Sequence, residues 1–458
     1  MTSHAHDRVL VLGLAASGEA AARLLRAEGA EVLVADQADS DRLQTAAAAL
    51  EREGVRVRLG CALPPREPWA LAVVSPGIRL DSEPMRALGE WGVPVISELE
   101  LGWSRASCRT LAITGSNGKS TLTALCAAAF QAAGLRAEPA GNFGPPVSRV
   151  VREQRDLDWL VLEVSSFQLE TVSAFRPDIG VLLNVLPNHL DRHGDFEAYR
   201  ALKCRLFGRM RAGDAAVVPE FMAGQLRSQA AGANRWVSFG VAPETDYRYE
   251  PGRVIARPGV DCPERILDLA ETYFDNEILG LAAAAAWAAA DTAGVPLEAM
   301  VRALRGFRPL PHRLQEVVSA RGVRFVDDSK ATNVAAMLAA LRMTPAPIRL
   351  IAGGLPKHES FEPALPLIRE RVASVYLIGS AAADMAAAWS GAVPCKRFPS
   401  LAAAMQAAWT EASSGDTILL APACASCDQF RSFEDRGEQF AGLARTLAAA
   451  RRTLAPIT

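Results

Sequence analysis

The chain has 458 residues, half of them apolar, with 49 basic side chains against 51 acidic ones. At about 150 residues per domain, this length predicts around three domains, each able to bury a core. The near-balanced charge gives no electrostatic case for a nucleic-acid partner. The apolar stretch Ile278 to Ala290, ended by Asp291, falls short of the ~20 residues that cross a bilayer, so no membrane partner is expected.

Val9 to Leu12 reads as a buried strand rather than a signal peptide, because only Arg8 supplies a basic start and a glycine turn follows. Gly13-Leu14-Ala15-Ala16-Ser17-Gly18 then turns into a helix over Glu19 to Glu28, and a second strand, Glu31 to Ala35, ends at Asp36. This is a βαβ opening with an acidic residue placed for a ribose. Ala15 stands where the dinucleotide fingerprint has its middle glycine, which favours a looser nucleotide site over a NAD site. Ala72 to Ile78 is a further strand and turn. Val95 to Leu99 reads as the last strand of this unit, with a boundary near Ser104.

The apolar run Leu111-Ala112-Ile113 leads into Thr114-Gly115-Ser116-Asn117-Gly118-Lys119-Ser120-Thr121 and a helical stretch from Leu122 to Ala132. A strand entering a glycine-rich turn, with Lys-Ser at a helix mouth, surrounds a phosphate with backbone N–H groups and the positive helix end. Lys119 would neutralise the β- and γ-phosphates, and the Ser120 hydroxyl would hold Mg²⁺. The loop is shorter than the usual P-loop, with two residues between its glycines. Gly141-Asn142-Phe143-Gly144-Pro145 follows as a turn-rich loop. Trp159 to Val164 is an apolar strand carrying one carboxylate, Glu163, near its C-terminal end, where ligands of parallel sheets sit. Such a Glu is costly to bury unless it is paired or bound to metal, so Glu163 reads as a Mg²⁺ ligand. After the strand Ile179 to Asn184, the loop to His193 clusters His189, Asp191 and His193. Metal binding through His189 fits this loop; a zinc site does not.

Only five of the basic residues are lysines: Lys119, Lys203, Lys330, Lys357 and Lys396. A chain that uses arginine for ordinary positive charge keeps lysine for tasks a guanidinium cannot perform, such as losing a proton. Lys203 lies in an amphipathic helix, Tyr199 to Phe207, where Arg200 and Arg205 supply the surface charge. Its amine could add CO₂ and become an anionic carbamate with oxygens for a hard cation.

From Trp236 to Val260 short strands and turns are expected, then an alanine-rich helix, Leu279 to Ala293, and a boundary near Arg308. Leu310-Pro311-His312-Arg313 precedes a strand, Val323 to Val326, and Asp327-Asp328-Ser329-Lys330-Ala331-Thr332-Asn333. Strands at Ile348 to Ala352, Val375 to Ile378 and Thr417 to Leu420 alternate with helices, which argues an α/β fold with a mostly parallel sheet. Eight scattered cysteines suit a reducing cytosol, so a cytoplasmic location is expected. Cys424 and Cys427 have redox spacing but lack the second pair that zinc requires.

Taken together, TGSNGKST at Thr114, LEVSSFQLE at Leu162, NHLDRH at Asn188, YRALK at Tyr199, LPHR at Leu310, DDSKATN at Asp327 and APACASCDQFRSFEDRG at Ala421 resemble the ATP-dependent Mur ligases. The resemblance runs from the first strand to near the C-terminus. It implies three domains: a Rossmann-like UDP-sugar domain over 1–104, a central P-loop ATPase over 105–308, and a Rossmann-like amino-acid domain over 309–458. It also implies a cytoplasmic monomer with two Mg²⁺ ions that joins UDP-N-acetylmuramoyl-L-alanine to D-glutamate through an acyl phosphate. Gly115, Ser116, Asn117, Gly118, Lys119, Ser120, Thr121, Asn276, Arg313 and Asp328 would then bind ATP. Ser120, Glu163, His189 and Lys203, as a CO₂-derived carbamate, would hold metal. Lys119, His189, Lys203 and Lys330 would serve catalysis. Gly13, Ser17, Asp36 and Asn142 would contact the UDP-sugar, and Thr332, Lys357, Ser426 and the Phe433 backbone would receive glutamate.

The family's adenine-side pattern, Gly-x-His-Asn-x-x-Asn, is here Tyr273 to Leu279 with only Asn276 retained, and Leu355-Pro356 stands where an acidic residue usually precedes Lys357. A ligase for another amino acid or for folate is a sibling reading. A NAD-dependent oxidoreductase would leave the central loop unexplained, and a non-catalytic nucleotide-binding regulator would not require Lys203 and Glu163 together. The handedness of the glutamate rests on the resemblance alone.

Overall fold

The computed structural model describes residues 4, 6–154, 156–229, 235–257, 264–357 and 359–450. They form three α/β sheets distributed over two compact units. One unit comprises the residues up to Val185 together with Glu197–Phe307. The other comprises Leu186–Phe196 and the residues from Arg308 onward.

In the first unit, β1 (Arg8–Leu12), β2 (Glu31–Ala35), β3 (Arg56–Arg58), β4 (Leu71–Val74) and β5 (Val95–Ser97) form a parallel sheet in the order β3-β2-β1-β4-β5. Strands β1, β2 and β4 are nearly continuous buried apolar runs, as a sheet covered on both faces requires. The strand order reverses between β1 and β4, the place where open α/β sheets leave a crevice.

The second sheet of this unit runs β14-β13-β12-β11-β10-β9-β6-β8-β7. Its strands are β6 (Arg109–Thr114), β7 (Ala137–Gly141), β8 (Trp159–Glu163), β9 (Ile179–Leu182), β10 (Ala215–Pro219), β11 (Arg235–Gly240), β12 (Tyr247–Glu250), β13 (Arg253–Ala256) and β14 (Arg265–Asp268). Strands β7 to β12 and β6 pair in parallel, and β13 and β14 add antiparallel edges. The expected short strands after Trp236 are therefore present, although residues 258–260 of that stretch lie outside the described residues. The alanine-rich helix spans Glu277–Thr292 and packs on the helix Lys119–Ala132, its small side chains allowing close approach.

The second unit holds β15 (Gln315–Ala320), β16 (Val323–Asp327), β17 (Ile348–Gly353), β18 (Val372–Ile378), β19 (Cys395–Arg397) and β20 (Thr417–Leu420), ordered β15-β16-β20-β17-β18-β19. All pairs are parallel except β15 with β16.

Three expectations from sequence shift. The strand expected over Val95 to Leu99 ends at Ser97, whose hydroxyl accepts from Glu100 N at 3.2 Å and starts the helix Glu98–Trp103. The helix around Lys203 runs Phe196–Cys204 and tightens into a 3₁₀ turn over Arg205–Phe207. The phosphate-loop helix begins at Lys119, three residues earlier than Leu122.

Candidate functional site

The phosphate-type loop leaves β6 at the reversal point of the central sheet, between β9 and β8. Gly118 takes a left-handed φ of 83° and caps the helix Lys119–Ala132, so a side chain there would be strained and would also meet Leu183. Asn184, just past β9, holds the loop open: its Oδ1 accepts from Ser116 N and Asn117 N at 3.0 Å each, and its Nδ2 donates to Asn117 O. Ser116 Oγ and Tyr199 Oη lie 3.0 Å apart, tying the loop to the Lys203 helix. Lys119 Nζ donates to Ser116 O at 3.0 Å, while Ser120 and Thr121 are buried in the first turn.

Glu163 sits at the C-terminal end of β8, level with Ile113 and Gly141. Gly141 is left-handed and approaches so closely that a Cβ would stand 2.5 Å from Glu163 O. Asn142 donates through its backbone to Glu163 O and through Nδ2 to Glu163 Oε1 at 2.6 Å. Glu163 Oε2 is buried and has no partner among the described residues. A buried, unpartnered carboxylate oxygen at the strand ends fits a hard cation.

Lys203 is 1% exposed, and its Nζ donates to Gly115 O at 2.8 Å and lies 4.6 Å from the Tyr199 ring centre. Burial drives its pKa well below the ordinary lysine value; the charge of Lys119 pushes the same way, and Glu163 opposes both. The buried amine is thus biased towards its neutral form, which is the form able to add CO₂.

In the first sheet, Gly13 has φ 90° and a Cβ there would clash with Ser75, whose hydroxyl donates to Gly13 O. Asp36 accepts from Leu14 N at 2.7 Å and Ala38 N at 2.9 Å, so both its carboxylate oxygens shape the turns beside the end of β2. Ser17 lies half-buried at the start of the helix Ala16–Ala27. Asn276 is committed to a cap: its Oδ1 accepts from Leu279 N and its Nδ2 donates to Tyr273 O. Tyr273 stacks on Phe307, which also meets Phe274 edge-on.

The second unit gathers the other group. Asp328 is buried, and burial pushes its pKa up to about 7 against the opposing charge of Arg313. Its Oδ1 accepts from Leu314 N. Lys330 Nζ lies 3.6 Å from the centre of the Phe433 ring, and Ser329 Oγ donates to Phe433 O at 2.8 Å. Lys357 Nζ reaches Thr332 Oγ1 at 3.4 Å, and Ser426 is buried beside the turn to Phe430. His189 belongs to the segment that groups with this unit and has a left-handed φ of 56°. Among the described residues no three His, Cys, Asp or Glu side chains make a ready metal cluster. The cysteines described are all free, Cys424 being buried and Cys427 exposed, so the redox spacing forms no disulfide.

Sequence reasoning did not single out Arg436. It is fully buried and donates to Ser329 Oγ and O and to the carbonyls of Cys424 and Ala425. Its signal was present, because Arg436 shares a helical stripe with the buried Phe440 and Ala444. Asn184 and Tyr199 were likewise visible only as members of motifs.

The sequence profile for the Mur ligase middle domain matches residues 113–256, and that for the Mur ligase glutamate ligase domain matches 312–424. The chain is 41% identical over 440 residues to UDP-N-acetylmuramoylalanine--D-glutamate ligase of Acidobacterium capsulatum, covering 95% of each chain. It is 37% identical to the protein of the same name from Koribacter versatilis, over 96% of this chain and 98% of that one. Among solved structures, the MurF ligase from Thermotoga maritima in complex with ADP aligns with a TM-score of 0.61 at 17% identity, covering 92% of this chain and 96% of that one. The UDP-N-acetylmuramate-alanine ligase MurC from Thermotoga maritima gives 0.60 at 18% identity, covering 96% and 100%. These structural likenesses bear on the fold, whereas 37–41% identity to curated relatives along nearly the whole length settles kinship: the chain belongs to the Mur ligase family.

Proposed function

We propose that this chain is an ATP-dependent ligase that joins the alanyl carboxylate of UDP-N-acetylmuramoyl-L-alanine to the amine of D-glutamate, releasing ADP and phosphate in peptidoglycan precursor synthesis. The observation that carries this reading is the convergence of the phosphate loop, the unpartnered Glu163 oxygen and the buried Lys203 amine in a chain 41% identical to a D-glutamate ligase.

A carboxylate is a poor acyl donor, because its carbonyl carbon is weakly electrophilic and oxide is a poor leaving group. Phosphorylation by ATP makes it an acyl phosphate, the amine attacks, and phosphate leaves from a tetrahedral intermediate. Gly115 to Thr121 would cradle the triphosphate with backbone N–H groups, and Lys119 would meet its charge. Ser120 and Glu163 would hold Mg²⁺, and a carbamate on Lys203 would add oxygen ligands; the expectation for His189 rests on its motif. When bound, Mg²⁺ neutralises the charge that gathers on the transferring phosphoryl group. Asn142 would reach the muramoyl end, while Gly13, Ser17 and Asp36 bound the uridine. Arg313 and Asp328 would serve ATP, Lys330 the reacting groups, and Thr332, Lys357, Ser426 and Phe433 the glutamate carboxylates. The assignment of domains to 1–104, 105–308 and 309–458, a monomeric state and a cytoplasmic location belong to the same proposal.

The test is phosphate release with ATP, Mg²⁺ and UDP-N-acetylmuramoyl-L-alanine, comparing D-glutamate, L-glutamate and no amino acid. Release coupled to a UDP-linked dipeptide only with D-glutamate is expected. Turnover with L-glutamate alone would overturn the substrate, and no turnover with either would overturn the ligase reading.

A further inference from the structure

Asn184 is a residue that the proposed chemistry leaves without a task. Strands β6 and β9 run in parallel with Thr114 level with Leu182, so the phosphate-type loop leaves β6 alongside the first residues beyond β9. Two residues on, Ser116 N donates to Asn184 O at 3.1 Å. The two segments can stay this close because residue 115 is glycine: a Cβ there would stand 3.1 Å from the Leu183 Cβ and 3.3 Å from Asn184 N.

The Asn184 side chain then grips the loop itself. Its Oδ1 accepts from two successive backbone groups, Ser116 N and Asn117 N, at 3.0 Å each, and its Nδ2 donates to Asn117 O at 3.0 Å. An amide offers an acceptor and a donor in one fork, whereas a carboxylate would set a second oxygen against Asn117 O. Two successive N–H groups converging on one point make the kind of concavity in which backbone binds an anion. Here a neutral oxygen of the chain fills it. The carbonyls of the same three residues are held as well: Gly115 O by Lys203 Nζ at 2.8 Å, Ser116 O by Lys119 Nζ at 3.0 Å and Asn117 O by Asn184.

We propose that Asn184 is a positioning residue for nucleotide binding: its amide fills the concavity of Ser116 and Asn117, fixes the loop before any nucleotide arrives, and leaves the phosphates to the backbone from Gly118 to Thr121. The inference rests on this loop binding ATP, as proposed above, and narrows that cradle to its second half. Asn184 does not touch the nucleotide. It acts through preorganisation, because a loop ordered in advance loses less binding free energy to its own ordering.

The test follows backbone amide exchange residue by residue in wild type and Asn184→Ala, with and without Mg²⁺ and ADP. Calorimetry gives the Kd for ADP, and steady-state kinetics give KM for ATP, D-glutamate and the UDP-sugar. In wild type the Ser116 and Asn117 amides should be protected before nucleotide is added and gain nothing from it, while Gly118 to Thr121 gain protection. Asn184→Ala should lose the protection at Ser116 and Asn117. Its Kd for ADP and KM for ATP should rise about tenfold, the worth of one or two neutral hydrogen bonds, with the other two KM values within about twofold of wild type. Protection at Ser116 and Asn117 that appears only with ADP would overturn the proposal, and so would an unchanged ADP affinity in the variant or an equal rise in all three KM values. Should Asn184→Ala fail to fold, the wild-type exchange pattern decides alone. If wild type binds ADP but makes no product, the ligase reading falls, and exchange with ADP affinity still judges Asn184; if it binds no ADP, both fall.

Discussion

Lys203 shows how far one residue type could be read without coordinates. Lysine is so scarce in this chain that its appearance between two arginines already set it apart, and the structure supplies the cause: a side chain 1% exposed, pressed towards neutrality by burial and by Lys119. Lys203→Arg should lower kcat by at least about a hundredfold, because a guanidinium neither loses its proton nor carries a carbamate. Intact-protein mass spectra from bicarbonate buffer should show a CO₂ adduct in wild type that is missing in the variant. Arg436 is the opposite case. Composition hides it among many arginines, and only the packing of its helix reveals a guanidinium satisfied wholly by neutral oxygens. Arg436→Met removes the donors to Ser329, Cys424 and Ala425 together, and urea unfolding should show a loss of about 3 kcal/mol or more.

The short helix Glu98–Trp103 joins the first sheet to the central one, and it was misread as the end of a strand because its apolar residues Leu99 and Leu101 alternate. The cap signal was nonetheless there, in Ser97 followed three residues later by Glu100. Both acids of this helix are buried and accept from groups elsewhere in the chain: Glu98 from Ser148 N at 2.6 Å, and Glu100 from the backbone of Ser173 and Ala174 and from the Ser173 hydroxyl. Burial pushes the pKa of Glu98 up to about 7, against 4.5 for an ordinary glutamate. A folded state that binds the proton more tightly than the unfolded one is stabilised at low pH and loses that stabilisation as pH rises between the two values. Glu98→Gln should therefore gain on wild type between pH 5 and pH 8, by up to about 3 kcal/mol, in urea titrations at the two pH values. A difference that stays constant with pH would show that Glu98 is charged in the fold throughout.

At the scale of the molecule, the alternation of strands and helices sufficed for three α/β sheets, because buried parallel strands are conspicuous apolar runs. Strand edges were less legible: β13 and β14 have only four residues each, and β14 buries Leu267 alone, so it presents no apolar run although it pairs with the neighbouring β13. The cysteines yield a global test. Cys427 is exposed, whereas Cys126 and Cys424 are buried and their thiols are pushed up, the latter to about 12. A thiol-reactive reagent should label Cys427 within minutes in the native protein and reach Cys126 and Cys424 only on unfolding, as peptide mapping would show.

The segment Leu186–Phe196 has a practical corollary for anyone dividing this protein. It groups with the second unit although it is encoded between β9 and the helix Phe196–Cys204 of the first. A gene fragment starting at Arg308 would thus omit part of its own unit, and one ending at Phe307 would carry a piece belonging elsewhere. Neither half is a natural cloning boundary, and an isolated C-terminal fragment should be less stable than the same fragment supplied with the missing eleven-residue peptide in trans.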